Sequence, residues 1–390
     1  MNFDEIIDFR GTHSAKWDSI GANYGIDADD ALAMWVADMD FRPPKCVADE
    51  VARMAANDHF TYFGDDAAYR NAIVWWMKTR HGWEIAPEWI FSVHGLGNGV
   101  GLCVDTYTKP GDAVLIFTPI YHTFARVIKA ADRHVTECAL KNNNGRYEMD
   151  LDAAKACLTG REKMVILCSP HNPGGMVWGV DELLALADFC AEHDLIIVSD
   201  EIHQDLVFGD ANHTVTPLAA PHAVARTVVM NAISKTFNLA GVHTGNVIIQ
   251  DSDLRARFAK RMAALNISPN RFGSHVVSVA YSPEGAQWVD SVCAYLQENH
   301  RVLNEGLAEI PGVKPVQMSA TYLAWVDFSD TGLSVGEIKQ RINKQARIVV
   351  NYGETFGLGG ENFMRFNIAC PKSRVQEAVV RMQAAFADLQ

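Results

Sequence analysis

Five short apolar runs punctuate the middle of the chain: DAVLIF (112–117), MVILCSP (164–170), LIIVSDE (195–201), TVVMNAIS (227–234) and GNVIIQ (245–250). They are rich in aliphatic and β-branched residues at successive positions, as a strand covered on both faces requires. Helical patterns lie between them. In DELLALADFCAEH (181–193), Leu183, Leu186, Ala187 and Cys190 share one face, with Asp181 as the expected N-cap. Such alternation predicts an α/β fold, a mostly parallel sheet sandwiched by helices, with ligands gathered at the carboxyl ends of the strands.

The last hundred residues follow another pattern. SVGEIKQRINKQA opens on a capping box, Ser334 and Glu337, and aligns Ile338, Ile342 and Ala346. SRVQEAVVRMQAAFADLQ does the same with Ser373 and Gln376, then Val375, Val379, Met382 and Phe386. The strands YLAWVDF and FMRFNIAC lie nearby, so a smaller α+β domain is expected here. The reading divides the 390 residues into a large domain over 45–285 and a small one from 1–44 and 286–390.

Charge and composition narrow the function classes. A net charge of −13 without a long Lys/Arg run argues against a nucleic-acid partner. No stretch approaches eighteen uninterrupted apolar residues, which argues against a membrane span. The opening MNFDEIIDFRG carries acids and lacks an apolar secretory core, so a cytoplasmic protein is expected. The eight cysteines form no C-x-x-C pair and read as reduced core thiols rather than disulfides or a metal site.

Four polar clusters fall at or just past strand ends: HGLGNGVG (94–101), SPHNPGG (169–175), SDEIH (199–203) and the pair Ser234-Lys235. Parallel neighbours would bring all four to one edge of the sheet. The glycines of the first miss the dinucleotide register, since the third would fall at Val100. The loop is either an anion cup opening a helix or a tight packing turn. Asp200 ends a very apolar run, where a carboxylate needs a cation or strong donor unless it caps the next helix. Asn172 is a turn residue or a donor to a ligand oxygen. Lys235 among apolar walls would have a lowered pKa, so that its neutral amine could attack a carbonyl. Pyridoxal 5'-phosphate would use all of these: a lysine for its aldehyde, an acid for its ring nitrogen, a donor for its phenolic oxygen and a cup for its phosphate.

SPHNPGG, SDEIH and SKTFNLAG, with 28 residues from Asn172 to Asp200 and 35 from Asp200 to Lys235, resemble the motifs of fold-type I pyridoxal-phosphate enzymes of the aspartate aminotransferase family. The likeness spans nearly the whole chain. KWD (16–18), MWVADMDF (34–41), RHGWEI (80–85) and FMRFNIACPKSRV (363–375) are similar to its cystathionine β-lyase, or C–S lyase, branch. The resemblance implies that Lys235 is the covalent anchor and general acid/base, and that Asp200 pairs with the ring nitrogen. Tyr121, with Lys235 in the catalytic set, would stack on the ring, and Asn172 and His203 would lie beside the phenolic oxygen. The phosphate would rest on the backbone of Leu96 and Gly97, on the Ser234 hydroxyl, and on Tyr62 of a partner subunit, making a homodimer the working unit. Arg365 would grip the substrate α-carboxylate, with Asn172 beside it and Trp35, Val36 and Ala37 at the entrance. Where aminotransferases place a phosphate-binding arginine, eight residues after the lysine, this chain has His243, a departure that favours the lyase branch. His122 replaces a tyrosine or other polar residue common in related lyases. The implied reaction is α,β-elimination on a sulfur-containing L-amino acid, with amino-acid transamination as the alternative.

Overall fold

The computed structural model describes residues 1–57 and 60–389. A seven-stranded sheet forms the centre: β1 (Ile90–Val93), β2 (Ala113–Thr118), β3 (His134–Ala139), β4 (Glu162–Cys168), β5 (Ile196–Asp200), β6 (Thr227–Asn231) and β7 (Gly245–Ile248). The order is β1-β7-β6-β5-β4-β2-β3, and β7 alone runs against its neighbours. All five apolar runs are strands of this sheet.

Alternate side chains of each strand enter separate cores. Val114, Ile116, Ile166, Val198, Val228 and Met230 pack with Val100, Cys103 and Val104 of α1 (Leu96–Tyr107). Leu115, Phe117, Val165, Leu167 and Ile197 face the other way, onto Leu183, Leu186, Ala187 and Cys190 of α2 (Val180–Glu192). Burying each such side chain contributes about 1.5–3 kcal/mol, which is why the runs are apolar on both faces. Helix α1 sits close to the sheet because Gly99 has no side chain: a Cβ there would come within 3.2 Å of Met230 Sδ and 3.4 Å of Val93 Cγ2.

Two helix starts differ from expectation. Helix α2 begins at Val180 with Gly179 as its cap, and Asp181 lies in the first turn, where its charge complements the helix dipole. The Gly179 N–H is satisfied instead by Glu182 Oε2 at 2.7 Å. The C-terminal helix Lys372–Ala385 follows Pro371, whose fixed φ (−50°) sets the entry one residue ahead of Ser373, so Ser373 and Gln376 form no capping box. Ser334 does cap Val335–Gln340, accepting the Glu337 N–H at 3.2 Å.

A second, antiparallel sheet carries Lys314–Pro315, Leu323–Asp327, Phe363–Asn367 and Asn351–Tyr352 in that order. Leu32–Ala33 pairs in parallel with Ile348–Val349, so the first forty residues attach to the C-terminal elements. The long helix Pro283–Ala308 packs on Lys372–Ala385. Among the described residues, no helix is long and apolar enough to cross a membrane.

Candidate active site

The carboxyl edge of the large sheet collects the polar clusters. Strand β5 ends at Asp200, and β4 leads into the turn that holds Asn172. Strand β6 passes through Ala232 into a single helical turn, α3 (Ile233–Thr236), which carries Ser234 and Lys235. Strand β2 leads to Tyr121, and β1 leads through Gly95 into α1. Gly95 caps that helix at φ 84°, a conformation that disfavours a side chain. The first-turn N–H groups of Leu96 and Gly97 have no partner within the helix, as an end able to receive an anion requires. The packing reading of the glycine loop holds at Gly99, and Gly95–Gly97 form an open helix start.

Lys235 is half-buried, with its Nζ donating to the Ala37 carbonyl at 2.6 Å. Burial lowers its pKa to about 8; Asp38 and Asp200 counter this, and Arg365 reinforces it. Asp200 is buried and accepts the Ile202 N–H at 3.1 Å, the local turn that a capping reading would give. Burial nevertheless raises its pKa to about 7, so the carboxyl lacks an adequate cation. His203 is also buried. Its Nδ1 has no hydrogen-bond partner among the described residues, and its ring packs edge-on to Tyr322 at 5.9 Å. Burial drives its pKa well down, which keeps the imidazole neutral.

Arg365 lies mid-strand in the second sheet, 3 % exposed. Its Nη1 donates to Asn172 Oδ1 at 3.0 Å, and its Nη2 to the Trp35 carbonyl at 3.1 Å and Asn351 Oδ1 at 2.6 Å. The guanidinium stands over the Phe356 ring, 4.9 Å from its centre. Its Nε has no partner among the described residues, and burial lowers its pKa to about 10. A buried guanidinium held by neutral oxygens is poised for a carboxylate. Because Asn172 accepts from Arg365 through Oδ1, its amide NH2 is left for a ligand oxygen.

Trp35, Val36 and Ala37 contribute backbone more than side chain. The Val36 carbonyl accepts from Asn367 Nδ2 at 2.6 Å, and the Ala37 carbonyl receives a second bond from the Tyr322 hydroxyl at 2.9 Å. The Trp35 indole turns away to the Lys16 carbonyl. Tyr121 packs edge-on against His122 and Phe124, and His122 has its pKa lowered by burial and by Arg365. His243 lies at the mouth of the helix start, its Nδ1 4.0 Å from where a Cβ on Gly95 would stand. Tyr62 joins none of these groups: its ring is fully exposed. Tyr322, Asn351 and Phe356 escaped the sequence reading because each lies beside or within an element too short or too apolar to single it out.

Comparison with known proteins gives the chain's family. A family model described as aminotransferase class I and II matches residues 31–382, and the chain belongs to that family. Within it, the chain is 36% identical to the cystathionine beta-lyase PatB of Bacillus subtilis (strain 168), an alignment covering 99% of this chain and 100% of that protein. Cystalysin from Treponema denticola, whose crystal structure contains a pyridoxal 5'-phosphate cofactor, superposes with a TM-score of 0.95 at 32% identity, covering 100% of this chain and 99% of that one. The PLP-bound C-S lyase from Staphylococcus hominis gives a TM-score of 0.90 at 29% identity, covering 99% and 98%.

Proposed function

We propose that this protein is a pyridoxal-phosphate-dependent C–S lyase that cleaves cystathionine or a related sulfur-bearing L-amino acid to a thiol, pyruvate and ammonia. One observation carries the reading. A lysine of lowered pKa, a buried carboxyl short of a cation and a buried guanidinium short of an anion face one site. The full-length likeness to a named cystathionine beta-lyase and to C–S lyase structures supports the substrate class.

The residues fit the cofactor. Lys235 would anchor its aldehyde, Asp200 would pair with its ring nitrogen, and Asn172 and His203 would lie beside its phenolic oxygen. Tyr121 would stack on the ring. The Leu96 and Gly97 N–H groups and the Ser234 hydroxyl would hold the phosphate, with the His243 imidazole close to that helix start. Bound pyridoxal phosphate supplies an electrophilic carbon for the substrate amine and a ring that accepts the electron pair left at Cα.

The chain's own groups do the rest. Arg365 holds the substrate carboxylate and so turns the Cα–H toward Lys235. At a pKa of about 8, a useful fraction of the Lys235 amine is neutral near pH 7 and can take that proton. A protonated ring nitrogen would give Asp200 the cation its buried site lacks, and the ionised Asp200 would in return hold that proton in place. The neutral His203 adds no competing charge.

The working unit is a cytoplasmic homodimer in which the exposed Tyr62 reaches the phosphate of the other subunit. Its large domain spans 45–285, and its small domain combines 1–44 with 286–390. The deciding assay supplies cystathionine without any 2-oxo acid acceptor. Steady release of pyruvate with a free thiol is expected; turnover that needs a 2-oxo acid acceptor would make the protein an aminotransferase instead.

A further inference from the structure

KWD and MWVADMDF lie apart in the sequence, and the fold joins them. Lys16 is buried, 1 % exposed, with its Nζ 3.0 Å from Asp40 Oδ1 and 3.5 Å from Asp38 Oδ1. It also donates to the Asp38 carbonyl at 3.4 Å. Asp40 has a second donor, the Trp17 indole N–H at 3.2 Å. Asp38 Oδ1 is buried and makes no hydrogen bond among the described residues. One residue before Asp38, the Ala37 carbonyl holds the Lys235 amine.

Two carboxylates against one ammonium leave a net negative charge in a place largely shut off from water, with Asp38 partly exposed. Such a charge is tolerated when a further cation faces it. The nitrogen at position 235 is that neighbour. We propose that Asp38 is the counter-charge of the nitrogen at position 235, and that Lys16 is the positioning residue that keeps Asp38 ionised.

The inference rests on Lys235 being the reactive amine. Around that amine, Asp38 and Asp200 favour the protonated form, and Arg365 opposes it. His203 lies within reach of the charges of Lys235 and Arg365, Tyr322 shares the Ala37 carbonyl, and Tyr121 lies by Arg365. Burial raises the Asp38 pKa, Lys16 lowers it, and Asp40 raises it again. Burial also works against the charge of Lys16, but Asp40 and Asp38 outweigh it, so Lys16 stays an ammonium. Without Lys16, Asp40 would keep its indole donor and Asp38 would have none, so Asp38 is the carboxylate that takes up a proton.

Two readouts test this on the full-length chain. In one, the cofactor is removed, the protein is pulsed with acetic anhydride across a pH series, and acetylation of Lys235 is read by peptide mass spectrometry. In the other, the pH midpoint of visible absorbance is followed in the loaded protein. Asp38→Asn should lower both midpoints by about one pH unit or more. Lys16→Met should lower them in the same direction, Lys16→Arg should hold them at the parent value, and the double variant should fall no further than Asp38→Asn. Unmoved midpoints in Asp38→Asn, or a rise in Lys16→Met, would overturn the proposal. If Lys16→Met does not fold, Asp38→Asn and Lys16→Arg decide it. A parent protein with no visible band contradicts the proposed function instead, and the acetylation midpoint still decides the counter-charge.

Discussion

Asp200 illustrates how a site residue can oppose stability until its ligand arrives. Its folded pKa of about 7 lies above the ordinary 3.8, so the cofactor-free fold binds a proton that the unfolded chain releases. That stabilisation is complete below about pH 4 and is lost as pH rises through 7. Cofactor-free Asp200→Asn should therefore be more stable than the parent at pH 8, by on the order of 3 kcal/mol, and no more stable at pH 4. Urea denaturation at the two pH values measures this; equal differences at both would show that the carboxyl is not desolvated. Arg365 makes a second case. Three neutral oxygens fix its plane, and its Nε remains free. Arg365→Lys keeps a charge but loses the two-pronged grip, so kcat/KM should fall roughly 10- to 1000-fold. Steady-state kinetics on cystathionine would show it, and an unchanged kcat/KM would remove Arg365 from carboxylate binding.

At the scale of elements, the site depends on where strands stop. Strand β6 gives way to a single turn of helix, and that turn, rather than a long loop, places Lys235 under the Ala37 carbonyl. The second sheet is anchored similarly. A Cβ on Gly353 would strike the backbone carbonyls of Gly360 and Phe363, next to the strand that bears Arg365. Gly353→Ala should cost about 1–3 kcal/mol in thermal or urea unfolding and weaken substrate binding; a neutral change would show that the loop relaxes freely. The strands themselves were legible because burial on both faces leaves continuous apolar runs, as in MVILC and TVVMN. Lys235, Asp200 and Asn172 stand out because a polar residue at or just past such a run needs a reason, and the structure brings all three to one edge of the sheet. Helix starts were less so: Asp181 and Ser373 are good caps by type, but Gly179 and Pro371 took the position through backbone geometry. Asn351, which orients Arg365, lies in a strand of two residues, too short to leave any periodic signal.

At the scale of the whole molecule, two sheets meet at one site. Arg365 reaches from the second sheet to Asn172 at the edge of the first, so its guanidinium and the Lys235 amine are set by different layers of the fold. In the proposed dimer the exposed Tyr62 would serve the site of the other subunit. Inactive Lys235→Ala chains mixed and refolded with weakly active Tyr62→Ala chains should regain activity, because each mixed dimer contains one site with both residues intact. Mixtures no more active than their separate components would place Tyr62 outside the site. The most direct test concerns Lys235 itself. Pyridoxal-phosphate-saturated protein is reduced with borohydride, digested and mapped by mass spectrometry. The account predicts a phosphopyridoxyl adduct on the peptide that contains Lys235; an adduct confined to other lysines, or none at all, would contradict it.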